Sequence, residues 1–365
     1  MSSTVRTFGS IEPIADDWRR LAEETRAAPF LWPGWITAWL EAFGEHDLRI
    51  HTAWRAGRLV GLLPVQVAGR QVWSASNDQS PVFGPLALDA AAASTLLSAL
   101  VAERPARLQL GYLDPDDAAT AEGLAALRAR GYRQLVQQTL RAPHTEIAGE
   151  WETFLARLSR NRRKALRRTE RRLREQGDLR VEVHTGGDLD ALLEEGFAVE
   201  ASGWKGRQGT AINSSPPMRR FYRALAHAAA DDKSLRLVFL RLDDHAIAFE
   251  FVLRYDDVVY DLKGGFDERF RTWGPGIWLL GEVVRDAFET GARRIEWLGT
   301  DDDYKLEWSD GTRRIVTATW YAPGPRSLAE YHARTLWRSA RTRGRDLGRE
   351  HLPAGVIERL KALRS

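Results

Sequence analysis

The feature that most constrains this chain is an internal repeat. The segment "LRIHTAWRAGRLVGLLPVQVAGRQVWSA" (48–75) lies over "LRLVFLRLDDHAIAFEFVLRYDDVVYDL" (235–262) without a gap. Leu48 meets Leu235, Ala56-Gly57 meets Asp243-Asp244, Val60 meets Ile247, Gly69 meets Asp256, and Trp73 meets Tyr260. β-Branched and aromatic residues flank Gly or Asp turn signals in both copies, which predicts three strands joined by two tight hairpins in each. The same offset then carries a helix (90–103 and 277–290) and a short strand (107–111 and 294–298). Helical segments precede each meander, at 15–26 and 34–43 in one copy and at 189–201 and 218–230 in the other. A period this long is a domain rather than a solenoid unit. Helix–helix–meander–helix–strand predicts an α/β layer whose last strand sits beside the third after a right-handed crossover.

Composition narrows what such a pair can do. The 365 residues are 44% hydrophobic, enough to fill two cores. The absence of cysteine excludes disulfides, thiolate nucleophiles and Cys-built zinc or iron–sulfur sites. The eight histidines are scattered with no H-x-x-x-H pair, so no metal site is expected. "MSSTVRTFGSIEPIADD" has no apolar signal core, and no stretch approaches the roughly 20 apolar residues of a membrane span, so a cytoplasmic protein is expected. Net charge is only +3, but residues 160–174, "RNRRKALRRTERRLR", hold eight Arg, one Lys and one Glu, which leaves the remainder net acidic.

Two stretches suggest chemistry. "VEASGWKGRQGTAI" (199–212) sets Glu200, Trp204, Lys205, three glycines and Thr210 between two helical segments, the pattern of a shaped loop over a site; a plain turn with Trp204 in the core is the alternative. In "RTWGPGIWLLGEVVRDAFETG" (271–291), Arg271-x-x-Gly274-x-Gly276 precedes a helix with Leu280, Val283, Val284, Ala287 and Phe288 at helical spacing and Gly291 as its stop. Glycines let the backbone approach a ligand, and the first N–H groups of a helix favour an anion. Pro275 removes one of those N–H groups. Alone, two glycines are as easily a turn. The first copy offers "NDQSPVFGPLAL" at this place, so an anionic donor is expected in the second half only.

Taken with "YDLKGGFDERFRTWGPGIWLL" (260–280), "TDDDYKLEW" (300–308) and "PFLWPGWITAWLEAFG…GRLVGLLPV" in the first half, these stretches resemble the CelD/BcsL-type (BioF2-like) acetyltransferases of the GNAT superfamily, tandem-fold relatives of the Fem peptidoglycan aminoacyltransferases. The resemblance covers roughly residues 29–322. It implies an α/β (α+β) chain of tandem GNAT-like domains, each a mixed, mostly antiparallel sheet flanked by helices. The expected division is 1–150 for a first domain without a donor loop, 151–177 for a basic interdomain helix, 178–325 for a second domain with the donor and catalytic site, and 326–365 for an Arg-rich helical tail.

The resemblance further implies transfer of an acyl group from acyl-CoA, acetyl-CoA-like, to a primary amine by direct attack in a ternary complex. Arg271, Gly274, Gly276 and Ile277 would hold the pyrophosphate, with Lys263 and Lys305 nearby. Tyr304 would protonate the departing thiolate, since a phenol with pKa near 10 donates without first being ionised. The base is left among Glu200, Asp301, Asp303 and the neighbouring Asp302 and Glu307, and Trp204, Lys205 and Thr210 would face the acceptor. The Fem branch implies an aminoacyl-tRNA donor instead. For that donor Arg160, Arg163, Arg167 and Arg171 would contact phosphates, on a helix whose apolar stripe is Leu155, Leu158, Leu166 and Leu173. A solvated interdomain helix is the bland alternative for that segment, and a non-catalytic scaffold for the whole chain.

Overall fold

A computed structural model of the chain describes residues 3–351 except 118–119, 122–124, 126–127 and 129–130; side chains at 204–205 and 340–351 also lie outside the described residues. The first half opens with strand β1 (Thr4–Phe8) and helices α1 (Ala15–Glu24) and α2 (Pro33–Phe43). It continues through the meander β2 (Asp47–Arg55), β3 (Arg58–Ala68) and β4 (Gln71–Ser74), the short β5 (Leu86–Ala87), α3 (Ala90–Ala102), β6 (Arg107–Leu113) and β7 (Arg133–Glu146). Helices α4 (Trp151–Arg157) and α5 (Arg160–Arg174) lead into the second half. There β8 (Leu179–His184), α6 (Leu189–Ser202), α7 (Trp204–Gln208) and α8 (Pro216–Asp231) precede the meander β9 (Leu235–Leu242), β10 (His245–Tyr255) and β11 (Val258–Phe266). Helix α9 (Pro275–Glu289), β12 (Arg294–Glu296), α10 (Asp303–Leu306), β13 (Gly311–Tyr321) and α11 (Pro325–His351) complete it.

The repeat read from the sequence is also a repeat of backbone geometry. Gln71 pairs with Arg107 in a parallel ladder between β4 and β6, and at the same offset Val258 pairs with Arg294 between β11 and β12. Left-handed residues recur in step: Ala56 (φ 47°) with Asp243 (52°), Gly69 (57°) with Asp256 (50°), and Arg104 (53°) with Gly291 (69°). Two-residue hairpins need positive φ to match strand twist, and Gly and Asp tolerate it best. That requirement is why the turn signals survive where side-chain identity does not.

The two halves share one mostly antiparallel sheet, with strand order β1-β2-β3-β4-β6-β13-β7-β12-β11-β10-β9-β8. The last strand of each half has crossed to the other: β13 pairs with β6, and β7 pairs with β12. They also pair with each other, from Gly311↔His144 to Tyr321↔Arg133. Arg313 of β13 ties the exchange together, with Nη2 2.8 Å from Glu296 and Nη1 3.4 Å from Asp114 of the first half.

Packing joins the halves a second time. Helix α2 lies on α8 closely enough that a Cβ on Gly34 would stand 2.9 Å from Ala228 Cβ. Across the joint Trp35 meets Phe221 edge-on at 5.3 Å and Phe30 meets Tyr260 at 5.8 Å. Trp35 and Phe221 are 1% and 0% exposed, so each stabilises the joint by about 1.5–3 kcal/mol of side-chain burial. On the opposite face α9 buries Trp278, Leu279, Val283 and Val284 with Phe154 of α4. The basic stretch expected as one helix is two, separated where Leu158 turns extended and Ser159 caps α5 by accepting a 3.1 Å bond from Arg162 N–H. Among the described residues, no helix is long and apolar enough to cross a membrane.

Candidate active site

Beyond Tyr260 strand β11 no longer pairs with β12 but stays paired with β10 through Phe266, and a cavity of about 730 Å³ opens beside it. Its walls come from both halves: the end of β11, the start of α9, the 297–300 loop and α10 from the second, and Asp78, Gln79 and Pro81 with Leu140 of β7 from the first. The exchanged strand also steadies the far wall. Thr145 of β7, fully buried, accepts from Trp297 Nε1 at 2.8 Å and donates to Trp308 O at 2.7 Å, bracketing the helix that carries Tyr304.

At one end of the cavity Gly274 adopts φ 72°, closes the turn Glu268–Trp273 and starts α9. A side chain there would be strained, and only glycine takes this angle cheaply. Pro275 occupies the first helical position, where its missing N–H belongs to no intrahelical bond and its fixed φ suits the helix. Gly276 and Ile277, next in line, both border the cavity, and first-turn N–H groups have no acceptor within their helix. A Cβ on Gly276 would come 2.8 Å from the Phe266 ring, so the backbone is pressed against β11. Thr169 of α5 donates to Trp273 O at 2.7 Å and braces the turn from outside. Arg271 is exposed, pairs with Glu268 at 3.1 Å, and is not among the lining residues.

The matching place in the first half is closed. Asp89 stands where the repeat offset puts Gly276, caps α3 by accepting from Ala92 N–H at 2.8 Å, and holds Arg55 through two 2.6 Å bonds. The bond to Arg55 and then the cap hold this carboxyl down at about 2. A helix start that already carries its own carboxylate repels a second anion.

The chemistry-bearing side chains converge deeper in. Glu250 of β10 and Asp261 of β11 are 6% and 8% exposed on the cavity wall. Glu200 of α6 is 1% exposed and accepts from Ile212 N–H at 2.9 Å. Tyr304 sits at the mouth, 39% exposed, and burial followed by the charges of Asp261, Glu250 and Asp302 pushes its phenol well above the ordinary value. Tyr222 of α8 is buried and also driven far up, by burial and then by Glu200, Asp78 and Asp261; it donates to Gln79 Oε1 at 2.9 Å. Both phenols therefore stay protonated across the physiological range.

The residues expected from sequence sort into two groups. Tyr304, Glu200, Lys263, Lys305, Gly276 and Ile277 line the cavity. Lys263 Nζ donates to Thr210 O at 3.3 Å, and Lys305 Nζ donates to Leu298 O at 3.0 Å and stands 3.5 Å from Asp302. Gly274, Arg271, Asp301, Asp303 and Thr210 are not lining residues: Asp301 stands 3.7 Å from Arg141, and Asp303 and Thr210 are exposed. Glu307 is taken up by Arg162, which lies 5.8 Å over Trp308. The side chains of Trp204 and Lys205 lie outside the described residues. Sequence reasoning passed over Glu250, Asp261, Asp78 and Tyr222. The signal for the first two was present: a lone carboxylate inside each of the apolar runs "AIAFEFVL" and "VVYDL".

Outside the cavity, α5 turns Arg162, Leu166, Thr169 and Leu173 inward, and Gly281 of α9 lets Leu166 approach. Its outer face carries Arg160, Arg163, Lys164, Arg167, Arg168 and Arg171 along a groove of about 480 Å³.

The acetyltransferase (GNAT) domain family matches residues 160–306, a stretch that includes Gly274, Gly276 and Tyr304. No curated protein matches the chain. Among solved structures it is similar to FemX (12% identity, TM-score 0.59, 87% of this chain and 97% of that one). It is also similar to the C-terminal DUF2156 domain of an Agrobacterium fabrum protein described as a lysylphosphatidylglycerol synthetase (13%, 0.53, 90% and 97%). A third likeness is a conserved protein of unknown function from Bacteroides thetaiotaomicron (12%, 0.52, 87% and 100%). At such identities the likeness is one of fold, a mixed α/β chain with a mostly antiparallel sheet, and residues 160–306 carry the match to the acetyltransferase (GNAT) domain.

Proposed function

We propose that this chain is an N-acyltransferase of the CelD/BcsL type that moves an acyl group from acyl-CoA, acetyl-CoA in the simplest case, to a primary amine. The observation that carries the reading is the meeting, in one cavity, of the helix start at Gly276-Ile277, the protonated phenol of Tyr304, and the buried carboxylates Asp261 and Glu250. The N–H groups of Gly276 and Ile277 would take the pyrophosphate, leaving the thioester beside β11. The amine nitrogen attacks the thioester carbonyl, and the nitrogen–carbon bond forms. Asp261, with Glu250 beside it, takes the proton lost by nitrogen, and Tyr304 gives its proton to the sulfur as the carbon–sulfur bond breaks. Holding both substrates against one strand supplies most of the acceleration. With this assignment the base moves from Glu200 and the acids flanking Tyr304 in sequence to Asp261 and Glu250 on the cavity wall. Donors of this kind are cytoplasmic, and so, in this reading, is the protein.

Titration with coenzyme A and acetyl-CoA by calorimetry tests the reading. One site per chain is expected, and no binding at millimolar ligand refutes it. A second reading, aminoacyl-tRNA as donor, is favoured by one observation: the outer groove of α5 lies on the helix that braces the donor turn through Thr169. It requires salt-steep retention of aminoacyl-tRNA that disappears when Arg163, Arg167 and Arg171 are replaced together.

A further inference from the structure

Helix α5 carries most of its arginines outward, but its inner face touches both ends of the site. Arg162, Leu166, Thr169 and Leu173 recur at spacings of four and three, so they form one stripe along the helix. Thr169 donates to Trp273 O at 2.7 Å, one residue before Gly274 opens the helix start that borders the cavity. Arg162, two turns earlier, pairs with Glu307 and lies 5.8 Å over the ring of Trp308. Glu307 directly follows α10, three residues after Tyr304. Seven residues of helix rise about 10 Å, so a rigid element holds the two contacts a fixed distance apart. Between them Gly281 of α9 faces Leu166, and a Cβ there would stand 3.4 Å from both Leu166 Cδ2 and Trp308 Cη2. Helices α5 and α9 and the Trp308 ring therefore interlock.

The helix that carries Tyr304 depends on such support. It is a single turn, Asp303–Leu306, and Asp302 before it makes no side-chain cap. One turn costs more backbone entropy than its own hydrogen bonds offset, so its neighbours must hold it. Thr145 donates to Trp308 O at 2.7 Å, and Ser309 Oγ donates to Lys305 O at 2.7 Å. The Arg162–Glu307 pair adds a hold of another kind, because it ties the turn to the helix that also braces the donor end. The Arg162 side chain is 13% exposed and that of Glu307 51%. A guanidinium at that depth is costly to leave without its carboxylate, which keeps the pair closed.

We propose that α5 sets the spacing between the leaving-group acid and the donor cradle. Arg162 positions Tyr304 through Glu307, and Thr169 positions the Gly274–Ile277 backbone through Trp273. This rests on the acyl-transfer reading and adds to it two positioning residues, neither of which borders the cavity.

The test uses the full chain with Thr169→Val, Arg162→Met and Glu307→Gln. Backbone hydrogen exchange is followed without ligand at 271–276 and at 303–308, and coenzyme A affinity is measured by calorimetry. Thr169→Val should speed exchange at 271–276 and weaken coenzyme A about three- to tenfold, the span of one neutral hydrogen bond, with 303–308 unchanged. Arg162→Met keeps an apolar stem over Trp308 and should speed exchange at 303–308 about tenfold or more, with coenzyme A affinity unchanged. Glu307→Gln should act at 303–308 in the same direction, again without touching coenzyme A. A helix that only supports the fold would loosen both places together in every variant, and that result overturns the proposal. Unchanged exchange at 303–308 in both Arg162→Met and Glu307→Gln also overturns it, as does full coenzyme A affinity in Thr169→Val. Absence of coenzyme A binding by the unsubstituted chain overturns the acyl-transfer reading instead, and the exchange at the two places still decides whether α5 braces them.

Discussion

Two neighbouring glycines at the end of β11 should respond oppositely to the same added methyl group. Gly264 stands directly across from Glu250 in the β10–β11 ladder, and a Cβ there would overlap the Glu250 carboxylate, the far end of a flexible side chain. Gly265, the next residue, would put a Cβ 2.6 Å from Glu200 Cα, which is backbone of α6. Replacing a strand glycine by alanine gains about 0.5–1 kcal/mol of backbone entropy in either case. In Gly264→Ala the carboxylate swings aside, so the gain is largely kept and stability changes by less than about 1 kcal/mol. The Glu250 carboxylate leaves the wall it shares with the proposed base Asp261, and turnover should fall about 100-fold or more. In Gly265→Ala a helix must move from a strand, an overpacking cost of about 1–3 kcal/mol that exceeds the entropic gain. Urea unfolding of both variants, with the slope checked for constancy, gives the stabilities, and initial rates give turnover. Full turnover in Gly264→Ala, or equal stability of the two variants, refutes the placement of Glu250 and Glu200 around β11.

Three further outcomes are expected. Tyr304→Phe should lower kcat by about 100-fold while leaving acetyl-CoA affinity unchanged, and undiminished turnover in a folded variant removes Tyr304 as the leaving-group acid. Asp89→Ala deletes the α3 cap and should cost about 1 kcal/mol in urea unfolding with no change in donor affinity; altered donor affinity contradicts a closed first-half site. Tyr222 keeps its proton longer in the folded chain than in the unfolded one, where it titrates near 10, so stability is full below that value and falls as pH rises past it. Unfolding midpoints at about pH 9 and pH 11 should show that fall, with a smaller one in Tyr222→Phe, and a midpoint that holds or rises argues against burial of this phenol.

Local signals carried much of the architecture. The hairpin turns were legible because positive φ restricts what Ala56-Gly57, Gly69, Asp243 and Asp256 can be. The helix after each third strand was legible from its apolar spacing, and α9 differs from the expected 277–290 in starting at Pro275 and ending at Glu289. The exchange of β7 and β13 was not legible, because "RQLVQQTLRAPHTE" is exposed or half-buried over its first nine residues and nothing in its pattern says which strand lies alongside. The site divides the same way. Gly276, Tyr304 and Glu200 announce themselves by local pattern, and Glu250 and Asp261 announce themselves as charges in apolar strands. Asp78 lies in a loop with no pattern of its own, and only the packing of α2 on α8 and the Tyr222–Gln79 bond bring it into the second half's cavity.

The central claim is that the donor enters the second half alone, at the start of α9, with the first-half counterpart closed by Asp89. Backbone hydrogen exchange with and without coenzyme A measures this residue by residue. The account predicts slowed exchange at 263–266 and 274–280 and unchanged exchange at 86–92. Protection around 86–92, or no protection in either half at saturating coenzyme A, would contradict it.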